Sequence, residues 1–175
     1  MHFFSWPGLG NEPPDPRIQS HDDAVEMVLA HMTDPVDLLA QSMGGLIGLK
    51  AALRAPHQVR RLVLTATSSG IPMDDLGFAD WRSPYRAEFP NAAPWITEVR
   101  EDLSAQLGRI HAPALLLWGD EDEVTPVVVG ERLCALLPNA TLKVVRGGDH
   151  EFVRTHAAEI APMIAEHLTF PPPII

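Results

Sequence analysis

Four short, mainly apolar runs, Val36–Gln41, Arg61–Ala66, Ala114–Trp118 and Thr141–Val145, constrain what this chain can fold into more than any other feature. Each has the length of one strand. They are continuous rather than strictly alternating, as strands buried on both faces require. Three of them lead into segments with helical spacing, at 43–55, 126–137 and 154–168. A further helix over 21–32 precedes the first run, with Ala24, Val25, Val28, Leu29 and Met32 on one face. Pro56 stops one helix and Pro138-Asn139 ends another. This alternation predicts a parallel sheet covered by helices on both faces, a three-layer α/β sandwich. In such sheets the binding crevice lies beyond the carboxyl ends of the strands. A fifth strand is expected at His2–Trp6, ended by Pro7-Gly8-Leu9-Gly10.

Composition narrows the function. With 175 residues, 46% of them hydrophobic, the chain is long enough for one domain with a sizeable core. A formal charge of -10, from 23 acidic against 13 basic residues, repels phosphate backbones, and no Arg/Lys stripe opposes it. Nucleic acid is therefore not an expected partner. The apolar runs are too short to cross a bilayer, and no secretory signal is visible. Cys134 is the only cysteine, which rules out an internal disulfide and fits a reducing compartment. The expected location is cytoplasmic. The eight histidines show no metal-ligand spacing and no phosphate-binding glycine loop is present, so neither a metal nor a cofactor is expected.

Residues 68–110 interrupt the rhythm with Gly, Pro and acids around Trp81, Tyr85, Phe89 and Trp95, and with one or two expected short helices, at 75–88 and 94–107. The core is expected to comprise 1–67 and 111–170, and 171–175 a loose tail.

Three chemically capable groups each follow a strand. Ser42 sits between strand and helix in Ala40-Gln41-Ser42-Met43-Gly44-Gly45, whose small residues permit a sharp reversal. The same serine placement also suits a helix cap. The helix start puts the Met43 N–H where it can stabilise a developing oxyanion. Asp120, Glu121, Asp122 and Glu123 fill the loop after the third apolar run. His150 follows the last run behind Gly147-Gly148. A serine hydroxyl becomes a useful nucleophile when an imidazole removes its proton, and a carboxylate behind that ring holds its tautomer. Serine, acid and histidine in that order predict such a triad.

These local sequences resemble the α/β-hydrolase superfamily, especially its small lipase- and esterase-like members. Ala40-Gln41-Ser42-Met43-Gly44 is similar to the family's Gly-x-Ser-x-Gly elbow, with alanine for the first glycine. Gly119-Asp120-Glu121-Asp122 resembles its acid loop, which selects Asp122, and Gly147-Gly148-Asp149-His150 resembles its histidine loop. Trp6-Pro7-Gly8-Leu9-Gly10 is similar to the loop after the family's fourth strand. The resemblance implies a serine hydrolase acting on a small carboxylic ester or related acyl compound through an acyl-enzyme, with 68–110 as a small cap. The alternative is a related binding or partner protein with little or no activity.

Only Met1 to Ser5 precede Trp6, so the family's first three strands and the loop with its second oxyanion donor have no counterpart in this sequence. The expectation is that residues 3–6 pair directly with 36–41, giving a truncated fold of about five strands. A backbone N–H of Trp6, Gly8 or Leu9 would then replace the missing donor. The alternative is a longer protein, or a partner such as a second copy, covering the exposed edge. Trp6, Trp81, Tyr85, Phe89 and Trp95 are candidate substrate contacts, although the last four serve equally well as the core of a small cap.

Overall fold

The four apolar runs form one parallel sheet in a computed structural model that describes residues 1–67, 70–73, 80–98 and 101–169. Its strands are β1 (Val36–Gln41), β2 (Val59–Thr65), β3 (Ala114–Gly119) and β4 (Ala140–Val145), side by side in chain order. Register runs from Val36↔Val59 to Gln41↔Thr65 between β1 and β2, and from Ala114↔Ala140 to Gly119↔Val145 between β3 and β4. The carboxyl ends therefore finish together, which brings the segments after them to one edge of the sheet.

Helices cover both faces. On one side lie α1 (His21–Leu29), α2 (Met43–Arg54) and α5 (Val127–Leu136), and on the other α6 (Phe152–Thr155) and α7 (Ala157–Thr169). Strand periodicity sorts the core between them. Leu62, Leu64, Leu116 and Trp118 join the cluster under α1, α2 and α5, while Val63, Leu115 and Leu117 pack with Phe152 and Ile160. Ser20 starts α1 by accepting a hydrogen bond from the Asp23 N–H, and Asp22 and Asp23 complement the positive end of the helix. The single helix expected at 154–168 is two, because His156 leaves helical geometry at φ -111°, ψ 22°.

Residues 1–6 form no strand, so the described sheet has four strands rather than five and β1 stands at its edge. Side chains rather than a ladder hold this segment. Phe4 stacks on Trp6 with centroids 5.9 Å apart and meets the edge of His31 at 5.3 Å. Between β2 and β3 lie α3 (Arg82–Glu88), a 3-10 turn at Pro94–Ile96 and α4 (Ser104–Leu107). Over the described parts of 75–88 and 94–107, these elements are shorter than the helices expected there. Thr97 N–H bonds to Pro94 O and closes the tight turn, while 74–79 and 99–100 lie outside the described residues. So do 171–175, the expected tail. Among the described residues, no helix is long and apolar enough to cross a membrane.

Candidate active site

Ser42 occupies the step from β1 into α2 at φ 50°, ψ -123°, a left-handed conformation that costs a non-glycine residue about 1–3 kcal/mol. Its backbone is held from both sides, its N–H donating to Thr65 O at 2.9 Å and its carbonyl accepting from Gly45 N–H at 3.0 Å. The side chain does not cap the helix. It is presented instead to His150, whose Nε2 lies 3.0 Å from the Ser42 Oγ. Gly45 lets the start of α2 lie against Thr67, just past the end of β2, since a Cβ there would fall 2.2 Å from the Thr67 hydroxyl.

Of the four acids after β3, the fold turns one inward. Asp122 is 4% exposed, and its Oδ2 lies 2.9 Å from His150 Nδ1. Oδ1 accepts the N–H groups of Val124 and Thr125, both at 2.8 Å, and Oδ2 also accepts the Thr125 hydroxyl at 2.8 Å. Burial pushes the carboxyl's pKa up. The bonds from His150 and Thr125, with the attraction of the imidazole, outweigh that and leave the pKa below the usual carboxylate value. The carboxylate therefore remains charged behind the ring. Asp120 takes a different task, accepting the Gly147 N–H at 2.6 Å, whereas Glu121 and Glu123 are exposed.

The histidine loop is pinned to the acid loop by its backbone. Asp120 N–H donates to Val145 O and Glu121 N–H to Gly148 O, at 3.2 and 2.9 Å. Gly119 and Gly148 touch so closely that a Cβ on Gly119 would lie 2.0 Å from Gly148 O. Gln41, directly before Ser42, donates its side-chain amide to the His150 carbonyl at 3.2 Å. Gln41, Asp120 and Thr125 are the supports that sequence reasoning missed. The signal for Thr125 was its place three residues after Asp122, where a hydroxyl and an N–H both reach back to an Asp side chain. Nothing local marks Gln41, whose partner is 109 residues away.

The structure places the other expected residues as follows. Met43 opens α2, with its N–H on the first turn where no intrahelical acceptor exists. Gly8 and Leu9 donate their N–H groups within their own loop, to Pro13 O and Trp6 O, so neither remains available as the second oxyanion donor. Trp81, Tyr85 and Phe89 form a ladder, the first pair edge-to-face with centroids 6.0 Å apart and the second tilted with centroids 5.1 Å apart. The ladder leans on the N-terminal loop, where the Tyr85 hydroxyl accepts the Gly10 N–H at 2.7 Å. Trp95 is 5% exposed and packs edge-on against His21 at 5.0 Å, which makes it part of the core rather than a pocket wall. No group of three His, Cys, Asp or Glu side chains suited to a metal occurs among the described residues.

Such an arrangement has defined chemical capacity. A hydroxyl within hydrogen-bond reach of an imidazole, itself backed by a buried carboxylate, is equipped for nucleophilic attack with proton transfer to the ring.

Comparison with known proteins agrees with this architecture. A family model described as alpha/beta hydrolase fold matches residues 2–94, and one described as TAP-like protein matches 83–171. The pimeloyl-[acyl-carrier protein] methyl ester esterase of Chromobacterium violaceum is 26% identical, over 96% of this chain and 83% of its own length. The uncharacterized hydrolase YugF of Bacillus subtilis is 30% identical over 60% of this chain, which spans only 55% of that relative. Among solved structures, MGS-MChE2, an alpha/beta hydrolase enzyme from a sediment metagenome of the Mar Chica lagoon, superposes with a TM-score of 0.74 at 23% identity. The match covers 93% of this chain and 74% of that one.

Proposed function

This chain belongs to the α/β-hydrolase fold family, and we propose that it is a serine hydrolase that cleaves small carboxylic esters or related acyl compounds through an acyl-enzyme. Ser42 is the nucleophile, His150 the general base and then acid, and Asp122 the carboxylate that orients and stabilises the ring. The observation that carries the reading is the continuous relay from Ser42 Oγ to His150 Nε2 at 3.0 Å and from His150 Nδ1 to Asp122 Oδ2 at 2.9 Å.

In this scheme the Ser42 oxygen bonds to the acyl carbon as its proton passes to His150 Nε2. The carbonyl π electrons move onto oxygen, which the Met43 N–H stabilises. Collapse breaks the bond to the leaving group, which takes the proton from His150. Water then gives a proton to the same nitrogen and its oxygen to the acyl carbon, releasing the acid and restoring Ser42. The segment between β2 and β3 serves as a small cap. Its half-buried Trp81–Tyr85–Phe89 ladder supports a compact, partly apolar acyl group, consistent with a small substrate rather than a polymer.

Steady-state hydrolysis of p-nitrophenyl acetate, butyrate and hexanoate tests the assignment. Ser42→Ala and His150→Ala are each expected to lower kcat at least about 10³-fold. A folded parent that hydrolyses none of these esters would support the alternative of a binding protein.

A further inference from the structure

From Gly8 to Gly10, in the loop ahead of α1, each backbone N–H has an acceptor. Gly8 N–H bonds to Pro13 O at 3.2 Å, Leu9 N–H to Trp6 O at 3.0 Å, and Gly10 N–H to the Tyr85 hydroxyl at 2.7 Å. Pro7 has no N–H. Trp6 is different. Neither its backbone N–H nor its indole N–H meets an acceptor among the described residues.

The ring packs against the start of α2. Trp6 Nε1 and Cζ2 both lie 3.8 Å from the point where a Cβ on Gly44 would sit. In a helix the Cα–Cβ bond tilts toward the N-terminus, so that point lies on the Met43 side of Gly44, at the opening turn of α2. The indole edge therefore packs beside Gly44 in the opening turn of α2, the turn that also carries the Met43 N–H. Phe4 stacks on the ring nearly parallel, at 10°, and restrains its plane. The loop is fixed from the other side by the Ala93 N–H donating to Gly8 O at 2.9 Å, with Gly8 closely packed on Ala93.

We propose that the indole N–H of Trp6 is the second hydrogen-bond donor to the substrate's acyl oxygen, acting with the Met43 N–H as negative charge develops there. This rests on the reading of Ser42 as nucleophile. As the Ser42 oxygen attacks, the carbonyl π pair localises on oxygen and strengthens its bond to the indole N–H, which keeps its proton throughout. Trp6 is therefore a catalytic residue whose contribution grows toward the transition state and appears in kcat.

The test compares p-nitrophenyl acetate with its thionoester, whose sulfur is a poor hydrogen-bond acceptor, in the parent, Trp6→Phe and Trp6→His. Trp6→Phe keeps the stacked ring and removes the donor. It is expected to lower kcat on the oxygen ester by about 10- to 100-fold, with KM changed less than about twofold. The ratio of kcat/KM for oxygen ester over thionoester should fall at least about fivefold, a shift that simple loss of packing does not produce. Trp6→His, which can again offer a ring N–H, should recover part of that ratio. An unchanged ratio in Trp6→Phe, while Ser42 still reacts with a fluorophosphonate, overturns the role of Trp6 and leaves the hydrolase reading standing. A parent inert toward both the esters and the fluorophosphonate overturns that reading itself, and the role of Trp6 with it.

Discussion

Gly119→Ala offers a demanding test because the structure fixes its consequence in distance. The new Cβ would sit 2.0 Å from Gly148 O, 2.4 Å from Gly148 C and 2.9 Å from Gly148 Cα. All three are backbone atoms, so no side chain can rotate away. Restoring an ordinary carbon–oxygen separation of roughly 3.3 Å requires the end of β3 and the histidine loop to part by about 1.3 Å. That movement strains the Glu121 N–H to Gly148 O bond of 2.9 Å and shifts His150, two residues further along. Overpacking costs about 1–3 kcal/mol and each weakened bond about 1 kcal/mol, so a stability loss of about 2–4 kcal/mol is expected. A displacement near 1 Å at a catalytic group lowers kcat by about 10²-fold. Urea denaturation reads the first quantity and ester hydrolysis at a temperature where the variant is folded reads the second. Leu133→Ala, at a 1% exposed position on α5, is the control. It should cost about 2–5 kcal/mol while leaving kcat within about twofold. A folded Gly119→Ala with parental kcat would refute the claim that this glycine contact positions His150.

Three further outcomes follow from the same structure. Asp122→Asn should lower kcat on p-nitrophenyl acetate by about 10³–10⁴-fold, and Asp120→Asn by less than about tenfold, because only Asp122 reaches the imidazole; equal losses would contradict the choice of acid. Gln41→Met, which removes the donor to the His150 carbonyl, is expected to cost about 1 kcal/mol in urea denaturation and to lower kcat more than it raises KM. His21 provides a pH signature: burial, opposed by Glu101, reinforced by Lys50 and opposed by Asp22, lowers its pKa to about 4. The unfolded chain binds the proton first, so the contribution of neutral His21 is complete above about pH 6.5 and declines as pH falls toward 4. At pH 5 the loss is about 2 kcal/mol, and a His21→Gln variant should show a stability profile flatter by that amount between pH 7 and 5.

The strands were legible because each is a continuous apolar run, a pattern that burial on both faces imposes wherever the strand pairs. The His2–Trp6 segment has the same local character yet forms no ladder. Pairing depends on a distant neighbour, and stacking of Phe4 on Trp6 and against His31 anchors the segment without one. Ser42 and His150 could be picked out because glycines and strand ends surround them. Choosing Asp122 from four consecutive acids took family resemblance, since its distinction is the inward turn and the bonds from Val124 and Thr125. Trp95 was ambiguous in sequence because an aromatic in a small cap segment suits a pocket or a core equally. Its 5% exposure and contact with His21 decide for the core. Gln41 and Asp120 gave no signal, because each acts through a backbone group brought close only by the fold.

The central claim is that Ser42 is a nucleophile activated by His150, and covalent labelling tests it most directly. The full chain is treated with a fluorophosphonate, and the adduct is located by intact-mass and peptide mass spectrometry. The account predicts one adduct per chain, on Ser42, absent in Ser42→Ala and formed at least about 10²-fold more slowly in His150→Ala. A folded parent that forms no adduct, or that carries it on another residue, contradicts the account.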